Sequence, residues 1–155
     1  MKLLEPEQGL IIVNCSREKL VTNAPVPSLE LYQGACVPNL RERFPASTPY
    51  RSRVRILSAE HGLLLPDELI STYDRRLATK SEALRLHQHT VSRQLDFEFA
   101  KSPSMRHLLV VVEPLYLLAL RRLFDRLAEL ETGSIITNPW SWEGLLGVLR
   151  LWGWE

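Results

Sequence analysis

The stretch Leu10-Ile11-Ile12-Val13, followed by the polar run from Asn14 to Lys19, decides how the rest of the chain is interpreted. Four consecutive apolar residues, three of them β-branched, are typical of a strand that is covered on both faces, as in a parallel sheet. The polar run predicts that this strand ends at Asn14. A buried strand with polar residues at its carboxyl end is typical of an α/β domain with a ligand site at its strand tips.

Three more buried strands are predicted downstream, over residues 54–58, 108–112 and 135–137. Helices are expected between them, the first beginning at Ser28 as N-cap and the others covering residues 81–100, 115–130 and 142–150. This alternation predicts an α/β fold: a single three-layer domain over residues 1–155, with a mainly parallel sheet of about four or more strands flanked by helices.

Two of the predicted helices carry detailed expectations. The helix over 81–100 is amphipathic and should bury one face, which consists of Leu84, Val91, Leu95 and Phe99. The helix over 115–130 should begin after Pro114, which suits a first helical turn, and should be closed by Gly133.

Composition excludes several classes of protein. Of the 155 residues, 45% are hydrophobic and 24% charged, which is ordinary for a globular protein and excludes a disordered chain. With 19 basic and 18 acidic residues, the net charge favours neither a polyanion nor a basic partner. Two cysteines are too few for a disulfide framework or a four-ligand zinc site. With neither a signal peptide nor a membrane span predicted, we expect a soluble cytoplasmic protein with no membrane contact.

Reactive residues cluster directly after the first predicted strand. Cys15 is a candidate nucleophile, because neighbouring Arg17 and Lys19 should favour its thiolate; alternatively it packs as a small apolar residue. Ser16 and the backbone amides after it are candidates for holding a phosphate or carboxylate, with Lys19 as the counter-charge.

A second cluster follows the strand at 54–58. His61, between Glu60 and Gly62 on a predicted turn, is a candidate general acid or base, or else a structurally bonded surface histidine. Asp74 either orients a histidine or contacts a ligand, with Tyr73 stacking or donating, or it caps a short helix. No metal-ligand spacing, Gly-rich nucleotide loop or GxSxG motif is present, so neither a metal nor a cofactor is expected.

Two further groups have alternative interpretations. The five arginines between Arg41 and Arg55 form either a phosphate-binding patch or an ordinary solvated surface. Within that group Arg53 and Arg55 alternate along a strand and should share one face. All four tryptophans lie near the C-terminus, where core packing or a partner interface, including a homodimer, is favoured over base stacking.

The sequence ILSAEHGLL at residues 56–64, then Pro66-Asp67 and Tyr73-Asp74, resembles the core of the YaaA-like superfamily. Cys15-Ser16 with Lys19, and Leu31-Tyr32-Gln33-Gly34, resemble it too. That superfamily includes peroxide stress proteins and small bacterial and phage domains, and archaeosine synthase and 7-deazaguanine DNA-modification proteins share a similar core.

The resemblance implies a site that is built from strand-tip residues and takes a purine-like ligand. The residues it implies are Cys15, Ser16, Lys19, Tyr32, Ser58, His61, Gly62, Tyr73 and Asp74. We therefore predict an enzyme acting on a purine-like, possibly deazaguanine, nucleobase, nucleoside or nucleotide. Its catalytic residues would be Cys15, His61 and Asp74, and the remaining residues, together with Arg17, would bind the ligand. The alternative is a non-catalytic stress-response protein that binds DNA or RNA.

Overall fold

A sheet of five strands forms the centre of the computed structural model, which describes residues 3–154. Its strands are β1 (Gly9–Asn14), β3 (Val54–Ser58), β4 (Gly62–Leu64), β6 (His107–Val111) and β7 (Thr132–Ile136). They lie in the order β4-β3-β1-β6-β7, and all neighbours are parallel except β3 and β4. Two short strands, β2 (Val26–Pro27) and β5 (Leu69–Ile70), pair with each other outside this sheet.

Helices flank the sheet. They are α1 (Ser28–Leu31), α2 (Val37–Arg43), α3 (Lys80–Leu86), α4 (Ser92–Lys101), α5 (Pro114–Ala119) and α6 (Trp142–Trp152), with 3₁₀ turns at Pro6–Gln8, Pro49–Arg53 and Arg121–Glu129. The connection from β1 to β3 contains α1 and α2, and the connection that returns across the sheet to β6 contains α3 and α4. Because crossovers between parallel strands are right-handed, connections that run in opposite directions lie on opposite faces of the sheet. All six residues of β1 are buried, as expected for a central strand covered on both faces. The predicted α/β fold is confirmed.

The helix predicted over 81–100 is one continuous helical run, but a π turn at His87–Val91 interrupts it. A π turn inserts one extra residue into the helix. Before the turn, the residues that face the core therefore lie one position earlier in the sequence than an unbroken α-helix would place them. Val91, Leu95 and Phe99 are buried as predicted, whereas Leu84 is exposed and Ala83 takes its place in the core.

The helix predicted over 115–130 is shorter than expected. α5 ends at Ala119, and the chain continues as a 3₁₀ turn through Arg121–Glu129. Gly133 does not close that helix, because it lies inside β7, which begins three residues before the predicted strand. β7 is a half-exposed edge strand, so its first residues lack the apolar run that marks a buried strand.

Two local features were also missed. Gly62, with φ +72, forms the turn that leads into β4, so β3 and β4 make a hairpin that the short GLL segment did not reveal. Ser28 is not an N-cap: Pro27 occupies that position, and the Ser28 hydroxyl instead donates to the Leu65 carbonyl at 2.5 Å.

The arginines at 51, 53 and 55 are buried and paired inside the protein. Arg55 forms an ion pair with buried Glu98 at 2.6 Å. The two preceding arginines bind Asp67 and the Gly9 carbonyl, each at 2.8 Å. Both sequence interpretations are therefore wrong for these three side chains, which belong neither to a phosphate-binding patch nor to a solvated surface.

The tryptophans divide between core and surface. Trp152 and Trp154 are buried, and Trp154 stacks on Tyr50 with ring centroids 4.8 Å apart, so the core-packing interpretation is confirmed for these two. Trp140 is 61% exposed. Among residues 3–154, no helix is both long and apolar enough to cross a lipid bilayer.

Candidate functional site

A cavity of about 260 Å³ lies at the carboxyl ends of β1 and β6. From β1 the chain proceeds to β3 on one side and later to β6 on the other. This reversal is the topological switch point, where open α/β sheets bind their ligands. The lining residues are Asn14, Cys15, Ser16, Arg17, Glu18, Ala35, Arg76, Glu113, Tyr116, Pro139 and Trp140.

Asn14 joins the two strand tips beneath the cavity. Its side-chain oxygen accepts a hydrogen bond from the Glu113 backbone N–H at 2.9 Å, and its amide nitrogen donates to the Cys15 carbonyl at 3.0 Å. Since Asn14 is buried, these bonds satisfy its polar atoms and fix the position of Cys15 relative to the end of β6.

Cys15 is held from both sides. Its backbone N–H donates to the Leu57 carbonyl at 3.0 Å, and its thiol donates to the Tyr116 hydroxyl at 3.8 Å. Burial raises the pKa of the Cys15 thiol, and hydrogen bonding to Tyr116 and the charge of Lys19 lower that pKa by less. The expectation that nearby cations keep this cysteine as a thiolate is therefore wrong, because desolvation outweighs them.

Behind Cys15, three hydroxyl groups form a hydrogen-bonded chain with Tyr73 at its centre. The Tyr73 hydroxyl lies 2.5 Å from that of Tyr32 and 2.7 Å from that of Ser58. Ser58 also accepts the backbone N–H of His61, at 3.1 Å. Burial raises the pKa of both tyrosines, so they stay neutral. The Lys19 ammonium lies 4.6 Å from the centre of the Tyr73 ring, a cation–π contact.

Ser16 closes the loop after β1. Its hydroxyl donates to the Glu18 carbonyl at 2.7 Å and accepts the Gly34 N–H at 3.0 Å. Its one proton is therefore used inside the protein and not for an anion. Gly34 packs closely here, because a Cβ would lie 3.0 Å from the Ser16 Cβ and would displace the Glu18 carboxylate. Ala35 follows with φ +54, a strained conformation at the cavity wall.

Seven of the ten predicted site residues do not line the cavity: Lys19, Tyr32, Ser58, His61, Gly62, Tyr73 and Asp74. His61 is half-buried and packs edge-on against Tyr73, with ring centroids 5.3 Å apart. Gly62 forms the hairpin turn. Asp74 is exposed and makes no hydrogen bond or ion pair within residues 3–154, so neither an orienting bond to His61 nor a helix cap is present. The cap of the next helix is Thr79.

The sequence interpretation missed Arg76, Glu113, Tyr116 and Trp140 as site residues. Glu113 and Tyr116 could have been predicted as site residues, because they follow a predicted buried strand at its carboxyl end. Arg76 and Trp140 could not, since only tertiary packing brings them to the strand tips. The Arg76 guanidinium lies 3.7 Å from the Glu113 carboxylate.

The arrangement combines a neutral buried thiol, two carboxylates, two arginines and an exposed indole around one small space. Within residues 3–154, no group of three or more histidine, cysteine, aspartate or glutamate side chains could hold a metal ion. The residues that line the cavity can form hydrogen bonds and stack on a ligand.

Comparison with known proteins gives one match. A family model matches residues 10–132, more than half of the chain, and this span includes Cys15, Glu113 and Tyr116. No curated protein and no solved structure matches the chain. The chain belongs to DUF6884, a family of unknown function.

Proposed function

We propose that this protein is an enzyme acting on a purine-like base, either free or as its nucleoside or nucleotide, with Cys15 as the nucleophile. One observation carries the proposal: the Cys15 thiol meets a carboxylate and an aromatic side chain in a cavity at the switch point of the sheet. Polar side chains at such a position are costly to maintain unless they bind something.

The size of the cavity limits the ligand. A cavity of about 260 Å³ is at the small end of the range for ligand sites and suits a molecule the size of a nucleobase. An attached ribose or phosphate would lie towards the rim. Arg17 is exposed at this rim and suits an anionic group there.

The lining residues suit a planar heterocycle with hydrogen-bond donors. The Glu113 carboxylate accepts hydrogen bonds, as a guanine-like edge requires. The exposed Trp140 ring offers a face for stacking. The resemblance to the YaaA-like superfamily points to the same ligands and adds deazaguanines to them. Cys15 and Cys36 are free thiols, which suits a reducing compartment such as the cytoplasm.

The arginine group no longer supports the alternative of a nucleic-acid-binding stress protein. Arg51, Arg53 and Arg55 are bound inside the protein and are not available to phosphates. His61 and Asp74 receive no catalytic role in the proposal, since both lie outside the cavity.

A thermal-shift screen tests this function. The panel contains nucleobases, nucleosides, nucleotides, deazaguanines, and short DNA and RNA. A ligand present at 100 times its Kd should stabilise the protein by about 2.7 kcal/mol, a shift of several degrees. We expect that shift with a base or nucleoside, and we expect Glu113→Gln to abolish it.

The matched control is Glu129→Gln, which neutralises a carboxylate at a different cavity and should leave the shift intact. A panel without any stabilising base, nucleoside or nucleotide would refute the proposal. A shift that is seen only with DNA or RNA and disappears in salt would favour the nucleic-acid-binding protein instead.

A further inference from the structure

Tyr116 has a proton that the protein leaves unused. Its hydroxyl accepts two hydrogen bonds, from the Cys15 thiol at 3.8 Å and from the Leu77 N–H at 3.3 Å. A phenol has one proton to donate, and no residue within 3–154 accepts it. Because Tyr116 and Cys15 both line the cavity, the free proton is available to a ligand there.

The other tyrosines beside Cys15 differ in this respect. The Tyr73 hydroxyl is hydrogen-bonded to both Tyr32 and Ser58, so two of the three hydroxyl protons of that cluster are used between its own oxygens. Neither Tyr32 nor Tyr73 lines the cavity. Tyr116 is thus the one tyrosine of this group whose donor capacity faces a ligand.

We propose that Tyr116 is a catalytic residue that passes a proton from the Cys15 thiol to the substrate, an inference that rests on the proposed function. The Cys15 sulfur forms a bond to an electrophilic carbon of the bound base. The thiol proton moves to the Tyr116 oxygen, and the Tyr116 proton moves to the oxygen or nitrogen that is double-bonded to that carbon. One carbon–heteroatom π bond breaks, one carbon–sulfur bond forms, and the tyrosine ends as it began.

This relay specifies the substrate further. The atom that takes the proton must be a carbonyl oxygen or a C=N nitrogen next to the attacked carbon, which heterocyclic bases provide. The relay also explains how a neutral thiol reacts, since sulfur loses its proton only as the new bond forms. Burial raises the pKa of Tyr116, which keeps its hydroxyl protonated and ready to donate.

The test compares two thiol reagents on the full chain, with peptide mass spectrometry reporting Cys15 and Cys36 separately. In acrylamide, sulfur adds to the terminal carbon and negative charge develops on the conjugated carbonyl oxygen, so a proton donor beside the sulfur speeds the addition. Methyl methanethiosulfonate transfers its thiomethyl group to sulfur and releases a sulfinate that needs no proton. We expect Tyr116→Phe to slow acrylamide addition at Cys15 by roughly tenfold to 100-fold and to change the methanethiosulfonate rate by less than about threefold.

The control is Tyr50→Phe, which also removes a phenol but one that lies against Trp154 and makes no hydrogen bond within residues 3–154. It should change neither rate. Equal slowing of both reagents by Tyr116→Phe would overturn the relay, because the proton would then serve the sulfur and not the substrate. An unchanged acrylamide rate would overturn it too.

Two further results also distinguish the relay from its failure. If Tyr116→Phe does not fold, 3-fluorotyrosine at position 116 keeps the shape and donates its proton more strongly. The ratio of the acrylamide rate to the methanethiosulfonate rate should then rise, and an unchanged ratio would overturn the relay. If neither reagent modifies Cys15 in the wild-type protein, the proposed function fails as well, which distinguishes that result from a failure of Tyr116 alone.

Discussion

The arginine cluster and the strand-tip cavity are both rich in polar side chains, but they use them differently. In the cluster formed by Arg51, Arg53 and Arg55, each guanidinium is bonded to a carboxylate or a carbonyl of the protein. In the cavity, the Tyr116 proton has no acceptor within residues 3–154. The cavity therefore differs from the arginine cluster because it contains a hydrogen-bond donor that the protein leaves unused, and not because of its charge.

This difference indicates that the arginine cluster stabilises the fold and that the cavity serves the function. Buried charges persist in a fold only when they are paired, so a fully bonded cluster needs no ligand to explain it. A donor that faces a cavity and has no protein acceptor is available to a ligand. The comparison therefore predicts large stability effects from the arginine cluster and small ones from the cavity.

The largest expected effect comes from Arg55→Met. Removing the guanidinium leaves the Glu98 carboxylate buried without its 2.6 Å partner. The free energy of unfolding, measured by urea denaturation, should fall by about 3–5 kcal/mol.

The matched control for Arg55→Met is Arg76→Gln. It breaks the half-exposed pair with Glu113 at 3.7 Å and should cost no more than about 1 kcal/mol. Adding Glu98→Met to Arg55→Met should recover most of the lost stability. Equal losses from Arg55→Met and Arg76→Gln would contradict the comparison.

An effect that is smaller for each side chain is expected at alkaline pH from the tyrosines around Cys15. Burial raises the pKa of Tyr32, Tyr73 and Tyr116 above the unfolded value of 10.0. Their stabilising contribution is therefore complete below pH 10 and is lost as the pH rises further. Each should lower the free energy of unfolding by about 1.4 kcal/mol per pH unit in that range.

Denaturation curves between pH 9 and pH 11.5 measure this loss. Tyr73→Phe removes one of the three groups and should make the decline with pH less steep. If the stability stays constant across this range, folding does not raise the pKa of these tyrosines. That result would contradict their burial and the hydrogen-bonded chain of hydroxyl groups.

The sequence predicted the parts of the fold that depend on burial alone. The runs at Leu10–Val13, Val54–Ser58 and Leu108–Val112 are strands because their apolar side chains are covered on both faces. The edge strand β7 and the three-residue strand β4 were missed or misplaced. Their residues are stabilised by neighbouring strands and not by a pattern of their own.

The sequence predicted those site residues that directly follow a predicted buried strand. Cys15, Ser16 and Arg17 do line the cavity, because they follow β1 directly. His61 and Asp74 do not, since the turn after β3 leads into a hairpin that the sequence did not reveal. No local pattern could show that the Ser16 proton is used within its own loop, because its partners depend on the packing of Gly34 against that loop.

Protection of Cys15 from alkylation reports whether a purine-like ligand occupies the strand-tip cavity. Iodoacetamide labelling of Cys15 is followed by peptide mass spectrometry with and without guanine, guanosine, guanosine monophosphate and a deazaguanine. A ligand at 100 times its Kd should slow the labelling of Cys15 by about 100-fold if it occupies the cavity. We predict such protection from at least one of these four compounds. Labelling that proceeds at the same rate with all of them would contradict a purine-like ligand at the strand tips.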